Sequence, residues 1–128
     1  MKLLLDTHVL VWWLLDDSAL SKRAATALRD PASEIFVSSA SAWEIATKYR
    51  LGRMPQAEPL VHGFRRLIEG ERWIAIPVTV EHALAAGILK GDHSDPFDRM
   101  LAAQARLEDM KLVTDDRTLA ALVASAVW

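Results

Sequence analysis

The chain contains no cysteine. That excludes disulfides, thiolate nucleophiles and cysteine-ligated zinc, and it is the usage expected in a reducing compartment. There are only five glycines, and none builds the glycine-rich loop after a first strand on which dinucleotide enzymes cradle phosphate. No apolar run reaches the about 20 residues that cross a bilayer. The N-terminal "MKLLLDTHVLVWWLLDD" is interrupted by Asp6 and His8 and is followed by no small-residue cleavage site. A cytoplasmic protein with no membrane association is the expectation. The four histidines, His8, His62, His82 and His93, are scattered and form no metal-spaced pair.

At 128 residues, with 52% hydrophobic and 25% charged residues, the composition is that of one globular domain, 1–128, without linker, repeat or low-complexity segment. The net charge is −2, which lacks the basic excess of a simple nucleic-acid-binding module. Its distribution is uneven. Between Lys48 and Arg66 five basic residues (Lys48, Arg50, Arg53, Arg65 and Arg66) stand against Glu58 alone. Such a segment serves either as a solvated helix face or as a contact for phosphates.

Short apolar runs, "KLLLD" at the start, Ile35–Ser38, Trp73–Ile76 and Lys111–Thr114, have the character of strands buried on both faces. A short fifth strand is expected at "SAVW". Between them lie helical patterns over His8–Leu15, Lys22–Arg29, Ala42–Arg50, Leu60–Ile68, Val80–Leu89, Phe97–Glu108 and Thr118–Val123. Strands alternating with helices predict a three-layer α/β/α domain around a mainly parallel sheet of four to five strands. Right-handed crossovers would then gather all strand C-termini on one edge, where ligands of open α/β folds bind.

The acids fall on that edge. Asp6 ends the first strand, Glu44 lies in the expected first turn after the second, Asp95 and Asp98 open the helix before the fourth, and Asp115 and Asp116 follow it. Helix starts favour acids in any case: Ser41-Ala-Trp-Glu44 has the form of a capping box, and Asp95-Pro96-Phe97-Asp98 that of a capped start with proline first. Capping accounts for each position separately, but it does not predict convergence. Several carboxylates in one cleft repel each other unless a cation neutralises them. An all-oxygen set selects Mg²⁺ or Mn²⁺, which lowers the pKa of an attacking water and suits phosphodiester hydrolysis. His93 adjoins this region as a loop or substrate-contacting residue, and Trp12 and Trp13 read as core or dimer-surface residues rather than base-stacking ones.

In order and spacing, "LLLDTHVLVWWL", "VSSASAWEIATKYRLGR", "HSDPFDRMLAAQA" and "LVTDD" resemble the PIN-domain ribonucleases of the VapC toxin type, from type II toxin–antitoxin pairs. The resemblance implies a Mg²⁺- or Mn²⁺-dependent endoribonuclease whose acidic tetrad falls on Asp6, Glu44, Asp98 and Asp116. Thr114 accompanies the fourth acid, and Asp95 corresponds to the extra acid of the "DPFDR" subgroup. The doubled acid leaves Asp115 as an alternative register for the fourth position. Lys48, Arg50 and Arg53 are the candidates for guiding RNA phosphates. The resemblance also implies a homodimer bound to a cognate antitoxin. Setting aside Asp6, Glu44, Asp95, Asp98 and Asp116 leaves 15 basic against 12 acidic residues, so overall acidity does not exclude an RNA substrate. A receiver-like signalling module, the first rival, would need an aspartate after the third strand, and "WIAIPVT" has none. A PIN-like domain that binds RNA or protein without cutting is the closer alternative.

Overall fold

In the computed structural model, which describes residues 1–15 and 18–128, the chain forms five parallel strands in the order β3-β2-β1-β4-β5. The strands are β1 (Lys2–Leu5), β2 (Glu34–Ser38), β3 (Ile74–Ile76), β4 (Lys111–Val113) and β5 (Ala126–Val127). The helices are α1 (Thr7–Leu14), α2 (Lys22–Arg29), α3 (Ser39–Arg50), α4 (Glu58–Gly70), α5 (Val80–Ile88), α6 (Pro96–Leu107) and α7 (Arg117–Ala120), with a 3₁₀ turn at Pro55–Ala57. This is the expected three-layer arrangement.

The central strand shows how the sequence builds it. Leu3, Leu4 and Leu5 are all fully buried, and strand alternation sends them to opposite faces. Leu3 and Leu5 join a core with Val9 and Leu10 of α1, Leu28 of α2, Ile45 of α3 and Leu60 of α4. Leu4 joins a second core with Leu101, Ala102 and Ala105 of α6 and Leu119 of α7. Each buried leucine contributes roughly 1.5–3 kcal/mol of transfer free energy, so both faces depend on one tripeptide. The alanines of α6 keep its axis close to the sheet, and α5 packs on α6. β3 departs from expectation. It is an edge strand with Ile74 and Ala75 exposed, because an apolar run reports strand character but not strand order.

Two helix-to-strand turns share one closure. Arg72 and Asp109 have φ of 61° and 53°, and the next residues reach back: Trp73 N–H donates to Ile68 O at 2.9 Å and Met110 N–H to Ala105 O at 2.8 Å. This left-handed stop, followed by a buried apolar residue, turns α4 into β3 and α6 into β4. The sheet order reverses direction at β1, where β2 and β4 flank it. The crevice of an open parallel sheet lies outside such a switch point, at the strand C-termini. Among the described residues, no helix is long and apolar enough to cross a membrane.

Candidate functional site

Asp6 leaves the end of β1 directly into the switch-point crevice. Its backbone N–H stays in the sheet, donating to Val113 O at 3.0 Å, and its carbonyl accepts from Leu10 N of α1. The side chain is 3% exposed. Thr114, one residue beyond β4, donates its hydroxyl to Asp6 Oδ2 at 2.7 Å and accepts from Asp116 N–H at 3.0 Å. One threonine therefore ties the first acid to the last. Asp116 then caps α7, accepting from Thr118 N at 2.8 Å and Leu119 N at 3.2 Å. Neighbouring Asp115 is exposed.

Glu44 arrives differently from the way its sequence suggests. α3 begins at Ser39, capped by Ser38, whose hydroxyl accepts from Ala40 N. Glu44 is therefore in the second turn, and the expected capping box of Ser41 with Glu44 does not form. Ser41 instead bonds the Thr7 hydroxyl at 2.9 Å in the interior, fastening α3 to the start of α1. Glu44 is buried, with Oε2 2.5 Å from Lys48 Nζ. Its other oxygen, Oε1, is buried with no hydrogen-bond partner among the described residues. Orphaned buried acceptors are costly, and one on a residue that lines a cleft marks a place where a cation or donor belongs.

α6 supplies the remaining acids. Asp95 is its N-cap: Oδ1 accepts from Phe97 N at 2.8 Å and Asp98 N at 3.2 Å, so its capping role is direct. Asp98, one turn in, bonds His93 Nε2 through Oδ2 at 2.8 Å. Trp43 and Phe97, the residues preceding Glu44 and Asp98, meet edge to face at 4.9 Å and join α3 to α6. Arg99 secures the loop that carries His93. Its guanidinium donates to the carbonyls of Ala86, Leu89 and His93.

These elements enclose a cleft of about 440 Å³ lined by Asp6, Glu44, Asp95, Asp98, Asp115 and Asp116. Lys48, His8 and Trp12 complete the wall. A second cavity of about 480 Å³, beside Lys2, Arg106 and Lys111, lies at the opposite sheet edge and gathers no comparable chemistry. Electrostatics follow from burial. Desolvation raises the Asp6 carboxyl from 3.8 to about 6; the Thr114 hydrogen bond and nearby His8 oppose the rise, while Asp98 and Glu44 add to it. Desolvation likewise raises Asp98, with its His93 hydrogen bond opposing and Asp95 and Glu44 adding.

Among the described residues, no three carboxylates or histidines already stand close enough to enclose a metal ion. The donor set nonetheless suits a hard divalent cation: it is all oxygen and mutually repelling, with Asp6 and Glu44 buried and Glu44 Oε1 unpartnered among the described residues. Of the three basic residues expected at the substrate, Lys48 lines the cleft but is engaged with Glu44. Arg50 and Arg53 are exposed and do not line it. His8 and Trp12 join the site without a motif to announce them. Their trace in the sequence is spacing alone, with His8 two residues after Asp6 and Trp12 one helical turn beyond it. His82, by contrast, is a buried structural residue that closes the capping box of α5 with Thr79.

Comparison with known proteins agrees with this architecture. The PIN domain family profile matches residues 3–124. Ribonuclease VapC22 of Mycobacterium tuberculosis is 34% identical over 116 residues, covering 91% of this chain and 88% of the relative. Among solved structures, VapBC2 from Rickettsia felis bound to a promoter DNA fragment superposes with a TM-score of 0.69 at 17% identity, covering 98% of this chain and 96% of that one. FitAcB from Neisseria gonorrhoeae does so with a TM-score of 0.63 at 18% identity, covering 97% and 94%. At such identities the structural likeness is one of fold, but the profile and the curated relative both span most of the sequence. The chain belongs to the PIN-domain family, in its VapC branch.

Proposed function

We propose that the protein is a Mg²⁺- or Mn²⁺-dependent endoribonuclease, the toxin of a toxin–antitoxin pair, acting at the cleft formed by Asp6, Glu44, Asp98 and Asp116. The observation that carries this reading is the convergence of six carboxylates from four separate chain segments on one cleft, with a buried Glu44 oxygen left unpartnered. Helix capping explains Asp95 and half of Asp116, but not the burial of Asp6 or Glu44.

The residues divide the work. Thr114 orients Asp6, His93 orients Asp98, and Asp95 fixes the start of α6 so that Asp98 projects into the cleft. Asp6, Glu44, Asp98 and Asp116 would hold the cation, with Asp95 and Asp115 beside them. A bound divalent cation supplies neutralisation of these carboxylates and Lewis acidity toward water and phosphate oxygens. Lys48 is within reach of both Glu44 and an entering phosphate. Arg50 and Arg53, outside the cleft, would act only on RNA extending beyond it. On this reading the protein acts in the cytoplasm as a homodimer inhibited by a cognate antitoxin.

A PIN-like module that binds RNA or protein without cutting it remains the rival, favoured by the lack of a preassembled ligand set among the described residues. Purified protein incubated with labelled cellular RNA separates the two. Internal cleavage with Mg²⁺ or Mn²⁺, stopped by EDTA, is the expected result. Binding of Mn²⁺ with no cleavage of any RNA tested would favour the binder.

A further inference from the structure

The acidic cleft poses a problem for its proposed substrate. Among the described residues, six carboxylates and a single lysine, Lys48, line it, so an RNA backbone is repelled along most of the wall and drawn in only by a bound cation and Lys48. Further attraction must therefore come from a part of the nucleotide that carries no charge. The lining offers a surface of that kind. His8 and Trp12 sit one turn apart on α1, immediately after Asp6, with ring centroids 5.9 Å apart. Behind them Trp128 meets Trp12 at 5.8 Å and 56°. Trp128 follows β5, whose Val127 is in register with Val113, so it lies on the same sheet edge as Thr114 and Asp6. His8 is exposed and Trp12 and Trp128 are half-buried. Trp12 thus packs against the core on one side and faces the cleft on the other.

We infer that His8 and Trp12, backed by Trp128, form a nucleobase-stacking subsite that seats a base of single-stranded RNA next to the phosphate held at the carboxylates. This rests on the ribonuclease reading above and adds to it the part of the substrate that is gripped. Aromatic faces accept any base, because every base has a π-face, and stacking tolerates the negative field that excludes phosphates. The subsite therefore favours unpaired RNA, in which a base is free to leave its own stack.

The test uses the full chain. After the cut site is located by mapping 5′ ends of RNA digested with the wild type, short single-stranded oligonucleotides spanning it are made, with an abasic residue placed in turn at each flanking position. Trp12→Leu, which keeps an apolar side chain against the core, should raise KM roughly 5- to 150-fold, the factor for one lost stacked base, with kcat nearly unchanged. Trp12→Phe should restore KM to within a few-fold, and His8→Ala should raise it less than Trp12→Leu does. One abasic position should cost the wild type the same factor and cost Trp12→Leu nothing further. Cleavage by Trp12→Leu with the wild-type KM, or an equal abasic penalty in both proteins at every position, overturns the subsite alone. An unchanged KM together with loss of inhibition by a co-expressed antitoxin also overturns it, assigning the wall to the protein partner. If the wild type cuts no RNA with Mg²⁺ or Mn²⁺, the nuclease reading falls and the subsite with it.

Discussion

Replacing Asp6 with asparagine should make the metal-free protein more stable at neutral pH while removing its activity. Burial raises this carboxyl from 3.8 to about 6, so the folded state holds the proton more tightly than the unfolded chain does. The stability it contributes is complete below about 3.8 and is lost as pH rises through about 6. At about 1.4 kcal/mol per unit, the ionised carboxylate costs the empty cleft up to about 3 kcal/mol at pH 7.5. The carboxamide that replaces it carries no charge, and its carbonyl oxygen can still accept the Thr114 hydroxyl. With roughly 3 °C per kcal/mol for a domain of this size, Asp6→Asn should melt up to about 10 °C higher than the wild type at pH 7.5 in EDTA. The difference should shrink toward zero near pH 4. Thermal unfolding of both proteins across this range, followed by circular dichroism, reads it directly. A less stable Asp6→Asn at pH 7.5, or a difference that does not change with pH, would show that burial does not raise this carboxyl.

Thr114→Val leaves both Asp6 Oδ2 and Asp116 N–H without the shared hydroxyl, and should lower stability by about 1–3 kcal/mol in urea unfolding at pH 7.5. Asp95→Ser should preserve the cap and most of the cleavage rate, whereas Asp98→Asn should unfold with wild-type cooperativity yet cleave no labelled RNA; Asp95→Ala should cost about 1 kcal/mol. Arg99→Leu frees the carbonyls of Ala86, Leu89 and His93. Hydrogen exchange should then show faster opening of residues 89–94, with global stability reduced on the order of 2 kcal/mol.

How far such features can be read in advance depends on whether they are local. The acid ending the "LLL" strand and the acids opening α6 follow from local grammar, so their common sheet edge was legible once a parallel sheet was inferred. The start of α3 was not. Ser41 and Glu44 have capping-box spacing, but Ser38 takes the cap and Ser41 bonds Thr7, 34 residues away. The edge position of β3 was hidden for a similar reason, since strand order is set by crossovers that leave no mark in a three-residue run. Lys48 shows the limit at the site itself. Its positive charge pointed to phosphate, yet one turn of helix puts it on Glu44. Trp12 was read as core or dimer surface from an apolar helix, and only the fold shows that its outer side opens onto the acids.

As a divalent-cation site, the cleft of Asp6, Glu44, Asp98 and Asp116 should take up Mn²⁺ without RNA present. Calorimetric titration of Mn²⁺ into the wild type and into Asp6→Asn and Asp98→Asn, each shown to unfold cooperatively, tests it most directly. Saturable binding to the wild type is expected, with an accompanying rise in melting temperature, and binding weakened at least tenfold in each variant. Equal affinity in all three proteins, or no saturable binding to the wild type, would contradict it.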